Sequence, residues 1–260
     1  LRELNERKEA VLKAIDEQGK LTPALTLAIH NAATKQEVED IYLPFKLKRR
    51  TKGQMAKEAG IEPLADALFN DPTLVPAEAA LPYVKPQQPD QPNFSTVQAV
   101  LDGVRDILSE RWAENPQIVQ DLREWLWQDG LLQSKLIEGK DQNNADISKF
   151  RDYFDYDEPI ARIPSHRALA VFRGRALDIL EVKLLQPQVE PALDASKKIV
   201  TIAKVTLAEG RIANQLGWSH QQRAADDLIR KCVAWTWKVK LSLSTERDLF
   251  TRLREASEKV

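Results

Sequence analysis

A chain of 260 residues can form one large domain or two ordinary ones with a substantial core, so it needs no disulfide or metal to hold it together. Its 38 Lys and Arg against 39 Asp and Glu leave a formal charge of -1, which excludes a net basic field and leaves any attraction to nucleic acid to local patches. The single cysteine, Cys232, excludes an internal disulfide and a cysteine zinc site and fits a reducing cytoplasm. The apolar runs are too short for a membrane span, and no cleavable signal pattern is present.

In chain order, Leu1, Leu4, Val11 and Ile15 fall on one face of a charged helix that Gly19 stops. Thr22 before Pro23 and the pair Thr34 and Glu37, spaced as a capping box, start two more helices, the second ended by Pro44. Thr51 with Gln54 caps a fourth helix, and Gly60 with Glu62-Pro63 separates it from a fifth, giving a helix-turn-helix-like region over 1–80. Pro72, Pro76, Pro82, Pro86, Pro89 and Pro92 then predict a linker over 81–94 or an extended wrapping segment. A central helical scaffold over 95–260 follows. Between Ser95 and Glu138 two apolar faces repeat with helical spacing, through Val97, Val100, Leu101, Val104, Ile107 and Leu108 and then Ile118, Leu122, Trp125 and Leu126. Ser165 is a suitable N-cap for a helix that Gly174 weakens or ends, and "ILEVKLLQ" with "KKIVTIAKV" suit a pair of short strands near 179–206. Ala225, Leu228, Ile229, Cys232, Trp235 and Val239 share a helical face. "WTWKVKLSLS" alternates like a strand, but its length and the preceding phase favour helix, and a last helix is capped by Ser244. "REASEKV" is a helical run without a stop signal, as in a piece of a longer protein. The fold class is therefore mainly α with a small β-hairpin-like element.

Two basic groups are candidates for phosphate contact. Lys46, Lys48, Arg49, Arg50 and Lys52 crowd one turn, and the alternative is a solvated surface whose charges pair with neighbouring acids. The following "QMAKEAGIEPLADAL" has the shape of a helix-turn-helix, with Ala56 under the next helix and Gly60 in the turn. Its second helix carries Glu62 and Asp66 and is poor in base-reading side chains, which favours a structural αα-hairpin. Arg162, His166, Arg167, Arg173 and Arg175 surround a helix start, against the alternative of a charge network with Asp152, Asp155, Asp157 and Glu158. An enzymatic reading requires those carboxylates and His166 to converge. The 3 histidines, His30, His166 and His220, have no metal-ligand spacing, no phosphate-binding Gly-rich motif is present, and the 6 tryptophans read as core or interface bodies.

The segments "DIYLPFKLKRRTKGQMAKEAGIEPLADAL" and "KFRDYFDYDEPIARIPSHRALAVFRGR", with "AVLKAIDEQGKLTPAL" and "CVAWTWKVKLSLSTERDLFTRLREASEKV", closely resemble the N-terminal part of the Tex family of bacterial transcription accessory proteins. The resemblance covers most of the chain. It implies that the RNase H-like, helix-hairpin-helix and OB-type RNA-binding domains of the family lie beyond these residues, and that this part is mainly helical scaffold. It further implies a cytoplasmic, noncatalytic role in transcription without cofactor or metal, with nucleic acid and the transcription or translation machinery as partners. Nucleic-acid contact here falls to Lys46, Lys48, Arg49, Arg50, Lys52, Arg167, Arg173 and Arg175. The alternative is a pure protein-interaction scaffold.

Overall fold

In the computed structural model, which describes residues 1–46, 50–187 and 206–260, threonines start the early helices as their chemistry demands. α1 (Arg2–Glu17) is followed by α2 (Pro23–Asn31) and α3 (Lys35–Tyr42). Thr22 accepts the amide of Leu25 at 3.2 Å and Thr34 that of Glu37 at 3.2 Å, but the box at Thr34 closes on one side, because the Glu37 carboxylate takes the amide of Ala33 at 2.6 Å. Gly19 adopts φ 69°, which an L side chain would strain, and stops α1. Val11 and Ile15 bury with Ile29, Ala32 and Val38, while Leu1, expected on that face, is fully exposed at the helix end. Arg7 grips Glu39 through two bonds of 2.5 and 3.1 Å and ties α1 to α3. Pro44 ends α3 in a 3₁₀ turn, Leu43–Phe45.

Contacts divide the chain into two compact units, Leu1–Thr51 and Lys52–Val260. The reason is packing: α4 (Lys52–Glu58), α5 (Glu62–Asn70) and α6 (Pro76–Ala80) share one core with α7 (Val97–Ala113). Ala56, Ile61, Leu64, Leu68 and Ala80 bury against Val100, Val104 and Ile107 there. α4 and α5 form the expected αα-hairpin, with Gly60 at φ 86° in its turn. Pro76 opens α6, Pro82 sits in a 3₁₀ turn, the Lys85 amide donates to the Phe94 carbonyl at 3.0 Å, and Tyr83, Val84 and Phe94 pack on the core.

α8 (Pro116–Asp129) covers the apolar face expected through Leu126. After Gly130 the chain becomes β1 (Leu131–Leu136), a strand that the sequence analysis does not assign. Its burial alternates, with Leu132 and Ser134 inward and the Ser134 hydroxyl donating to the Tyr153 carbonyl at 2.8 Å. A single turn of helix, α9 (Ala145–Ser148), leads on to β2 (Asp155–Pro159), then α10 (Ser165–Ala176) and β3 (Leu180–Leu185). The sheet order is β2-β1-β3, antiparallel throughout, with Leu132 opposite Glu158 on one side and Leu184 on the other. Thus "ILEVKLLQ" supplies a strand that pairs with β1 far upstream, whereas "KKIVTIAKV" lies outside the described residues. Ser165 is the first residue of α10 and makes no side-chain cap. Gly174 does not end α10: an added Cβ would stand 2.4 Å from Leu180 Cδ1, so glycine lets β3 approach the helix.

α11 (Leu207–Leu216) opens with a complete capping box from Thr206 and Glu209 and closes on Gly217 at φ 68°. The next loop is organised by Asp226, which is fully buried. It accepts the Trp218 indole N–H at 2.9 Å, the amides of Gln221 and Arg223 at 2.9 Å each, and the Arg223 guanidinium at 2.9 and 3.1 Å. Burial alone would raise its pKa, but these donors outweigh it and hold the carboxyl well below the usual range. α12 (Asp226–Trp235), a π-helical segment (Thr236–Leu241) and α13 (Ser242–Glu258) then run on without a break, so Ser244 is inside a helix, donating to the Leu241 carbonyl at 3.1 Å, and caps nothing. Ile229, Val233, Trp237, Leu241, Thr245, Leu249 and Leu253 are all buried at a constant spacing of four. In a pure α-helix of about 3.6 residues per turn that stripe would drift about 40° per step; the wider π turn resets it. The same reset leaves Val239, expected on the buried face, 52% exposed.

Candidate nucleic-acid interface

The basic turn divides between the two units. Lys46 and Arg50 belong to the first, Lys52 opens α4 in the second, and Lys48 and Arg49 lie outside the described residues. Lys46 and Lys52 are exposed and each acts on an acid: together with the Arg7 pair, Lys46 helps hold the Glu39 carboxyl down, and Lys52 opposes the burial that raises Asp106.

On α10, side chains about 100° apart per residue cannot all face one ligand. Arg167 lies with its guanidinium 5.8 Å from the Tyr156 ring centroid. The Tyr156 hydroxyl donates to Glu158, and burial first, then this bond, pushes its pKa up to about 12. Arg167 therefore sits in the charge network weighed as the alternative. Arg175 points elsewhere, 5.4 Å from the Phe250 ring centroid. Arg162 and His166 are exposed beside the helix start.

Arg173 is placed differently. It lines a cleft of about 660 Å³ with Lys140, Asn144, Lys149, Tyr153 and one acid, Asp146, and it makes no ion pair among the described residues. The loop between β1 and β2 sets the opposite wall: Gly139 turns at φ 87°, Asp141 accepts the Asn143 amide at 2.9 Å, and Asn144 accepts that of Asp146 at 2.9 Å. Lys149 and Lys140 have only exposed acids nearby, Asp146 at 3.3 Å and Asp178 at 3.7 Å, both weak pairs in water. Three cations and an aromatic ring on one cleft can receive a phosphate and the base beside it. Sequence reading missed Lys140 and Lys149, because it singled out clustered basic runs and these two stand nine residues apart. The signal available was the Gly-Asn-Asp-rich stretch "EGKDQNNAD".

Strand alternation sends Asp155 and Asp157 to the face opposite Glu158. Among the described residues no group of three or more His, Cys, Asp and Glu is placed to hold a metal. Burial pushes the Cys232 thiol up to about 12, far from a reactive thiolate. No described helix is long and apolar enough to cross a membrane.

These features define a helical scaffold with a small sheet and a basic cleft. The model of the Tex central region-like family matches residues 71–260. The chain is 43% identical over 258 residues to Protein YhgF of Escherichia coli K12 and 45% identical over 262 residues to Protein tex of Bordetella pertussis, in each case over 99% of this chain and 31% of the relative. It is 39% identical over 259 residues, 99% of this chain and 31% of the relative, to the Transcriptional accessory protein Tex of Neisseria gonorrhoeae. The chain belongs to the Tex family and spans about a third of the length of these curated relatives, of which the Neisseria gonorrhoeae protein is named a transcriptional accessory protein.

Proposed function

We propose that this chain is a noncatalytic scaffold of a cytoplasmic transcription accessory protein, and that it assists the protein's association with RNA or DNA and the transcription machinery. The observation that carries the nucleic-acid part is the cleft of Lys140, Lys149 and Arg173 beside Tyr153, where cations converge without a buried acid to satisfy them. The basic turn at Lys46–Lys52 adds a second, electrostatic contact. Phosphate contacts of this kind release counterions, so affinity falls steeply with salt and depends little on sequence.

The test is binding of labelled single-stranded RNA and duplex DNA across a salt series. Two charge-reversed variants accompany the natural chain: one with Lys140, Lys149 and Arg173 changed to Glu, the other with Lys48, Arg49 and Arg50 changed to Glu. The expected outcome is salt-sensitive binding in which each lost phosphate contact lowers the logarithmic salt slope by about 1. Binding that neither variant weakens, or no binding at low salt by the folded chain, would leave the pure protein-interaction scaffold as the reading.

A further inference from the structure

A separate cleft of about 370 Å³ opens beside α11 and α12, lined by Glu209, Ala213, Trp218, His220, Arg230 and Val233 among others. Glu209 is only 2% exposed. Its Oε2 accepts the Thr206 amide at 2.8 Å in the capping box, which accounts for one oxygen. Oε1 is buried with no hydrogen-bond partner among the described residues, and the Lys238 ammonium, on a side chain 65% exposed, is 4.0 Å away, beyond hydrogen-bond reach. An unsatisfied buried carboxylate oxygen is costly, so a donor that reaches it from the cleft is stabilised.

The surroundings are fixed in advance. The Trp218 indole is anchored on Asp226, and its ring meets His220 edge-on at 6.3 Å between centroids. Arg230 is occupied, because its guanidinium and the His220 ring share Asp227 Oδ1 at 2.9 and 2.8 Å. What remains is an anionic acceptor at the wall of a largely apolar cleft beside a rigid aromatic ring.

We propose that this cleft receives an arginine side chain from a partner polypeptide. The aliphatic stem packs along Ala213 and Val233, and the guanidinium donates to Glu209 Oε1 and lies against Trp218. Arginine fits better than lysine, because its planar, weakly hydrated head offers several donors and stacks on aromatic rings. A phosphate does not fit, since the unsatisfied group is itself an anion. This site is independent of the nucleic-acid cleft.

The experiment follows the Trp218 indole N–H resonance of the 260-residue chain, assigned through Trp218→Phe, during titration. The probes are the blocked peptide acetyl-Ala-Ala-Arg-Ala-Ala-amide, its Lys and Gln counterparts, and inorganic phosphate. The expected result is a saturable shift with the Arg peptide, weaker binding of the Lys peptide, and no saturable response to Gln or phosphate. Glu209→Gln preserves the capping box, which accepts Gln as well as Glu, so the melting temperature stays unchanged while Arg-peptide affinity drops about tenfold or more. Lys238→Met retains or tightens binding by removing a competing cation. The proposal is overturned if the Arg peptide gives no saturable shift, if Gln or phosphate binds as well, if Glu209→Gln binds like the natural chain, or if Lys238→Met abolishes binding.

Discussion

Glycine in mid-helix normally costs about 1 kcal/mol relative to alanine, yet at Gly174 the tertiary contact reverses the sign. An added methyl would collide with Leu180, itself 1% exposed and unable to withdraw. We expect Gly174→Ala to destabilise by about 1–3 kcal/mol, read as a lower urea midpoint with an unchanged slope. Asp226 is the complementary polar case. Its folded pKa is depressed, so its contribution to stability is full above the unfolded value of about 3.9 and is lost as pH falls through the folded value. Asp226→Asn, which leaves the Arg223 guanidinium without its anion, should cost about 3 kcal/mol near neutral pH. Urea unfolding across a pH series should show the gap between natural chain and variant constant from about pH 5 to 7 and narrowing below about pH 4. A gap that widens in acid would contradict this account of the loop.

Among the elements, the long C-terminal helix carries the clearest sequence ambiguity. "WTWKVKLSLS" alternates like a strand because a π turn within a helix places Trp237 and Leu241 four apart and both inward. Inserting one alanine after Lys238, an exposed residue within that turn, adds a residue the turn does not absorb and should rotate α13 by about 100° relative to α12. Leu249, Phe250 and Leu253 would then leave the core, and the variant should bind a hydrophobic dye and lose its cooperative melt, whereas Lys238→Ala should melt within a degree or two of the natural chain. The same comparison shows how much of the fold is legible in residues. Thr22, Thr34, Gly19 and Gly60 act locally, and their helices start or stop where expected. β1 was not legible, because "LLQSKL" is a strand only through its ladders with β2 and β3, both far from it in sequence.

At the scale of the whole molecule, the two units have separate cores, and the smaller one rests on few buried side chains: Val11, Ile15, Ile29, Ala32 and Val38. A unit that small is marginal, so Ile15→Ala, costing about 2–5 kcal/mol, should unfold it while the larger unit keeps its own transition. Amide exchange resolved by residue checks this: protection should vanish in α1–α3 and persist in α7. The candidate interface divides along the same line. Lys46–Lys52 and the arginines of α10 are visible as basic runs, but which charges converge depends on the angles of a helix and on a loop closing beside it, so Arg173 joins Lys140 and Lys149 while Arg167 and Arg175 turn to Tyr156 and Phe250. The sequence by itself determined the mainly helical class, the local helix signals and the family resemblance, because caps, turns and apolar periodicity are properties of neighbouring residues. Only the tertiary structure decided the strand order, the π turn's inward face and the two clefts, because each requires residues distant in the chain to meet, and the free energy of those meetings is not written in any one segment.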